Sequence, residues 1–361
     1  MASVPPAIPA RQPIFDGHND LLLRLMTNTE PDWSFFERNK SGHIDLPRAR
    51  EGNLVGGFFA VLAPANVGDD KLGRAAMVRD AAGYSIPMAP ALDFEYAFNF
   101  ATQAIGLLQG LVDQSAGQLA LVRNHRELTE AIAKERLAIV LHFEGAEPID
   151  EDLEALENFY DAGLRSLGLV WSRPNAFAHG VPFCYPSSPD TGPGLTEAGH
   201  RLARACNQLG ILLDLAHLNE RGFWDVHALT DKPLAVSHAC CHAICPSARN
   251  LTDRQLDAIG ESGGVVGVNF FVGDVRSDGA FEIDTPLEQI VRHIDHIANR
   301  IGIAHVAFGS DFDGARVPRA LGDAAGLGRL VEMLARHGYD NDALAQVTHG
   351  NWLRVLEETW R

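Results

Sequence analysis

Six side chains able to bind a divalent cation or carry a proton fall at the ends of apolar runs. They are His18 and Asp20 after "PIF", Glu144 in "HFEG", His217 in "DLAH", His238 in "VSHA" and Asp311 in "GSDFDG". His18 and Asp20 are two positions apart, so an extended backbone points both the same way and forms one ligand pair in advance. Three imidazoles and several carboxylates on one rim are too many charges to leave unpaired, and two Zn²⁺ ions with nitrogen and oxygen ligands would satisfy them. In a two-metal hydrolytic site one carboxylate bridges ions about 3.5–4 Å apart and their shared water becomes an acidified nucleophile. Glu144 is the natural bridge. The same ligand types also accept Mn²⁺ or Co²⁺.

Taken singly, each residue has an ordinary reading. Asp20 could cap a helix starting at Leu21, and Glu144 before Gly145 could be a turn residue. His217 and His238 could be satisfied histidines beside apolar runs. Asp311 and Asp313 look like a fragment of a calcium loop, without the remaining oxygen ligands. The functional reading rests on all five metal candidates falling at the same end of expected strands.

The elements that would bring them together are eight apolar or β-branched runs: 13–18, 55–63, 137–145, 164–171, 211–217, 233–239, 263–271 and 305–314. Runs apolar on both faces, separated by amphipathic segments, suit parallel strands joined by helical crossovers. Helices are legible in "EDLEALENFYDAG" up to Gly163, in "TEAGHRLARACNQLG" up to Gly210, and in "TDRQLDAIGESG" from a Thr252 or Asp253 cap. This predicts an α/β chain forming a single (β/α)8 TIM barrel over residues 1–361, whose catalytic groups lie at the carboxyl ends of the strands. The segment from about 65 to 135 exceeds one crossover and reads as an insertion of two or three helices after strand 2. An open doubly wound sheet is the rival, but no G-x-G-x-x-G turn follows the first strand.

A formal charge of −17 argues against nucleic acid or an anionic membrane surface as partner. "MASVPPAIPARQP" has no signal-like apolar core, and no stretch has the length of a membrane span. Five cysteines, with Cys240, Cys241 and Cys245 close together, suggest no disulfide framework, so a reducing cytoplasm is the expected location. "GESGG" (260–264) matches a nucleophile elbow but lies between a helix and a strand, the reverse of the required order. "SHACCHAIC" (237–245) lacks a second half for a structural zinc site, leaving its cysteines as packing residues.

In order and spacing, "FDGHND", "HFEG", "LGILLDLAH", "VSHACCHAICPSARNLTD", "GGVVGVNF" and "FGSDFDG" together resemble the membrane (renal) dipeptidase family of zinc peptidases, within the amidohydrolase-like barrels. The resemblance implies that His18 and Asp20 bind one zinc, that His217 and His238 bind the other, and that Glu144 bridges them. It implies that Asp311 takes a proton from the bridging hydroxide and gives it to the leaving amine, and that Arg249 holds the substrate's C-terminal carboxylate. Where the family's mammalian pattern has a histidine thought to stabilise the oxyanion, this chain has Trp171. Trp171 is expected in a pocket wall, and His179 is a substrate-side candidate that could reach back over the site or be a solvated loop histidine. Loops 65–80 and 172–192 are the expected walls. No hydrophobic C-terminal tail for a lipid anchor is present, and a homodimer is expected from family analogy alone. The expected activity is hydrolysis of L-L and L-D dipeptides. The alternatives are another amidohydrolase reaction, such as N-acyl amino acid deacylation or lactone opening, and a metal-bearing protein without catalysis.

Overall fold

The computed structural model describes residues 11–65 and 76–360. The N-terminal stretch 1–10 and residues 66–75 of the expected wall loop lie outside the described residues.

Eight parallel strands succeed one another around a nearly closed barrel: β1 (Ile14–Asn19), β2 (Leu54–Val61), β3 (Leu137–Glu144), β4 (Leu164–Gly168), β5 (Leu212–Asp214), β6 (Ala235–Ala239), β7 (Val265–Asn269) and β8 (Val306–Gly309). Each falls within or at the edge of one of the eight apolar runs. The strands are buried along nearly their whole length, which is why their sequences run apolar instead of alternating. β1 meets the end of β8 through a parallel bridge between Asn19 and Phe312. Asp16 fastens this seam, accepting from the backbone N–H and the hydroxyl of Ser310, both at 2.7 Å. Burial pushes the Asp16 carboxyl up to about 6, partly offset by those hydrogen bonds. The first acid of "FDGHND" is therefore structural.

The expected helices form where their caps allow. Thr252 and Gln255 make a reciprocal capping box for helix Asp253–Glu261, and Gly210 ends helix Glu197–Leu209 in the left-handed conformation. The 65–135 segment differs from the insertion of two or three helices expected there. Its described part contains helices Phe94–Gln114 and His125–Ala133, but also strand Leu119–Leu121, which pairs with β3. Two further strands, Val78–Arg79 and Tyr84–Ser85, join Cys184–Tyr185 in a small antiparallel sheet.

Opposite the strands' carboxyl ends, helix Asn351–Thr359 drives Trp352 into the barrel. Its indole N–H donates to Phe308 O at 3.0 Å, and its ring meets Phe58 edge-on. A methyl on Gly17 would stand 2.6 Å from that indole and 2.5 Å from Ser237 O. The glycine of "FDGHND" thus lets β1 lie close against the barrel interior just before His18.

Candidate metal centre

The residues singled out in the sequence converge at the mouth formed by the carboxyl ends of the strands. His18 Nε2 lies 3.4 Å from Asp20 Oδ2 and 3.7 Å from Glu144 Oε2. The other oxygen of Glu144, Oε1, is 2.9 Å from His217 Nε2 and 3.6 Å from His238 Nε2. The two histidine Nε2 atoms are themselves 3.1 Å apart. All these side chains are buried. Glu144 therefore turns one oxygen toward the His18 pair and the other toward the His217 pair.

Local backbone explains the placement. Asp20 occupies the N-cap position of helix Leu21–Thr27, yet its side chain makes no capping hydrogen bond. Its carboxylate is thus left for the cluster. His217 and Asp311 both adopt positive φ, 63° and 58°, a conformation costly for residues with a Cβ and concentrated at functional sites. Asn269, at the end of β7, accepts from Phe271 N–H through Oδ1, so its amide nitrogen is the group that donates to Asp311 Oδ2 at 3.1 Å. Arg249 is only 4 % exposed, not the surface arginine that sequence alone suggests, and one of its N–H groups donates to His238 O at 3.0 Å.

The donor set fits a divalent ion. Among the described residues, both ring nitrogens of His18 and Oδ1 of Asp20 are buried without a hydrogen-bond partner. Such atoms are costly to bury unless something binds them. Two sets of three, His18–Glu144–His238 and His18–Asp20–Asp311, bring their ligand atoms within 4.8 Å of one another. The electrostatics carry the same strain. Burial, with Asp20 and Asp311 nearby, pushes Glu144 well above the carboxylate range. Burial and then Asp20 raise Asp311 to about 7. Burial, followed by the positive charge of Arg249 and His18, holds His217 and His238 well below an ordinary imidazole. His18 goes the other way: burial opposes its charge, but Glu144, Asp20 and Asp311 overcome this and raise it to about 10. Burial is the largest influence on each of these groups, and a bound cation would offset the charge that the buried carboxylates add.

A cavity of about 280 Å³ opens from the cluster. Arg249, Asp274, Asn269 and Asp311 line its polar side. Trp171, Phe183, Phe281, Ile86, Pro87 and Met88 line the apolar side. Trp171 packs against Phe183 and over Arg173, and Ser172 beside it meets His217 Nδ1 at 2.8 Å. His179 does not line the cavity: its backbone pairs with Pro174 and accepts from Asn219, which turns that loop along the barrel rim. Residues that the sequence reading passed over include Asp214, Ser237, Asn269, His142 and Asp274. They are buried polar groups in or just beyond strands, and a polar residue inside an apolar run was the available signal.

A family model for the membrane dipeptidases, peptidase family M19, matches residues 6–360. The chain belongs to the membrane dipeptidase family. A family member of this kind is a metallopeptidase with dipeptidase activity. Among solved structures, a metallopeptidase from Rhodobacter sphaeroides, liganded with a phosphinate mimic of L-Ala-D-Ala, is 45% identical with a TM-score of 0.93, covering 97% of this chain and 99% of that one. The dipeptidase AC, described as a metallopeptidase of family M19, is 43% identical with a TM-score of 0.90 over the same shares of the two chains. A protein encoded 5′ of pqqA in Klebsiella pneumoniae is 47% identical over 259 residues, 72% of this chain and 96% of that protein. Among the described residues of this chain, no helix is long and apolar enough to cross a membrane.

Proposed function

We propose that this chain is a dinuclear zinc dipeptidase acting on L-L and L-D dipeptides, its length forming one hydrolase domain. The observation that carries the reading is the split allegiance of Glu144, whose two oxygens face two different histidine sets at 2.9–3.7 Å. This split supports a bridging role for the carboxylate between two ions. His18 and Asp20 would hold one ion, and His217 and His238 the other. When bound, the ions would supply an acidified shared water and a polarised peptide carbonyl.

The chain's own residues then do the rest. Arg249 would fix the substrate's C-terminal carboxylate, a task suited to a planar, always charged fork. Asp311, which accepts from Asn269, would take a proton and return it to the departing amine. Trp171 would form an apolar wall in place of a hydrogen-bond donor to the oxyanion. The Rhodobacter relative's L-Ala-D-Ala mimic supports acceptance of a D residue at the C-terminal position. The five cysteines are all free, which supports a reducing cytoplasm, and family analogy supports a homodimer.

The test is hydrolysis of a dipeptide panel, L-L and L-D, beside the matching N-acetyl amino acids. Release of free amino acids from the dipeptides alone is the expected result. Cleavage of the N-acetyl compounds alone would replace this reading with a deacylase. Asp311→Asn should keep its metal while activity falls by about 10²–10⁴, the usual worth of positioned proton transfer. Undiminished activity would remove Asp311 from the mechanism.

A further inference from the structure

His238 is held from behind by a chain of hydrogen bonds that reaches a carboxylate outside the cluster. Asp214, the last residue of β5, is used wholly as an acceptor. Its Oδ1 takes the backbone N–H of Ser237 at 2.7 Å and of Ala216 at 3.1 Å, and its Oδ2 takes the Ser237 hydroxyl at 2.5 Å. Ser237 Oγ lies 2.8 Å from His238 Nδ1. All three side chains are buried. A serine hydroxyl has one proton, and here it is committed to Asp214. Ser237 Oγ can therefore only accept from His238, which places the imidazole proton on Nδ1. Nε2, 3.1 Å from His217 Nε2 and facing Glu144, then carries a lone pair and can only accept. Ser172 Oγ meets His217 Nδ1 at the same 2.8 Å, but no carboxylate backs it among the described residues, so that hydroxyl can either donate or accept.

We propose that Asp214 is a positioning residue of the metal centre, which acts through Ser237 to fix the tautomer of His238 and so sets the affinity of one of the two metal sites. The inference rests on the two-metal reading above and goes beyond it by naming what prepares one ligand. Outer partners of this kind commonly change metal affinity 10–100-fold when removed.

The geometry makes Asp214→Asn a sharp probe. Two backbone N–H groups point at the Oδ1 position, so the asparagine carbonyl must stay there and its NH₂ must face Ser237 Oγ. That amide then donates to the serine, whose own proton turns to His238 Nδ1. The imidazole proton is forced onto Nε2, toward the metal. Ser237→Ala only releases Nδ1 and leaves both tautomers open, so its effect should be smaller and on the same site.

The experiment pairs Zn²⁺ titration of metal-free protein, by chelator competition, with ¹⁵N NMR of the His238 ring in metal-free protein. The expected result is two equivalents for the wild type. Asp214→Asn should keep one equivalent at wild-type affinity, weaken the other about 10–100-fold, and move the His238 proton from Nδ1 to Nε2. Two unchanged equivalents in the variant, equal weakening of both, or a wild-type proton already on Nε2 would overturn the inference. Fewer than two equivalents in the wild type would overturn the two-metal reading instead, and the ring measurement, which needs no metal, would still decide the tautomer. If Asp214→Asn does not fold, Ser237→Ala decides: loss confined to one equivalent supports the inference, and no loss overturns it.

Discussion

Replacing Arg249 by methionine keeps most of the side chain's length and removes its charge. Arg249 is 4 % exposed, and among the described residues its guanidinium makes one hydrogen bond, to His238 O. The rest of its fork is available to a carboxylate entering the cavity. Two unit charges about 4 Å apart at an effective dielectric near 20 attract by about 4 kcal/mol. Truncating one partner of a buried charged pair costs about 2–5 kcal/mol, so kcat/KM for a free dipeptide should fall about 10²–10³-fold in Arg249→Met. The assay compares each dipeptide with its C-terminal amide, on wild type and variant, with metal content measured in both. Wild type should prefer the free acid by about the same 10²–10³, and in the variant the preference should collapse toward unity. If the wild type cleaves the amide as well as the acid, or if the preference survives in Arg249→Met with metal retained, Arg249 does not read the carboxylate.

Two further expectations concern stability. His293 is fully buried, its Nδ1 accepting from Cys241 N–H and its Nε2–H donating to Val275 O, both at 3.0 Å, and burial lowers its pKa to about 4. Because the folded value lies below the unfolded 6.5, the contribution is complete above pH 6.5 and is lost as pH falls toward 4. The gap amounts to about 3 kcal/mol, of which about 2 should disappear between pH 7 and pH 5. Urea unfolding should show that His293→Gln loses less stability than wild type over this interval; equal losses would refute the assignment. Glu147 and Arg173 form a buried ion pair at 2.7 Å, and Arg173 also ties down Ala63 O and packs beneath Trp171. Glu147→Gln, by stranding the arginine, should cost about 3–5 kcal/mol. A loss under about 1 kcal/mol would mean that the pair is not what anchors this loop.

Much of the molecule was readable beforehand for a physical reason. Strands covered on both faces must be apolar throughout, so β1 to β8 announce themselves as short uninterrupted runs, and a charged or imidazole residue at their ends stands out. The parts that escaped depend on partners distant in sequence. Asp214 and Ser237 look like ordinary polar interruptions until β5 and β6 are paired. The structural role of Asp16 shows only once Ser310, far along the chain, is seen to occupy both its oxygens. Without the family resemblance Arg249 would read as a surface residue, because only the folded chain brings it into the cavity wall. The long crossover was misleading because amphipathic helix Phe94–Gln114 dominates its pattern. The two-residue strands of the small antiparallel sheet are too short to leave a periodicity.

The central claim is that five side chains hold two adjacent ions. Anomalous diffraction at the zinc edge from crystals of metal-loaded protein tests it directly. The account predicts two peaks about 3.5–4 Å apart, with Glu144 between them, His18 and Asp20 on one side and His217 and His238 on the other. A single peak, or peaks away from Glu144, would contradict it.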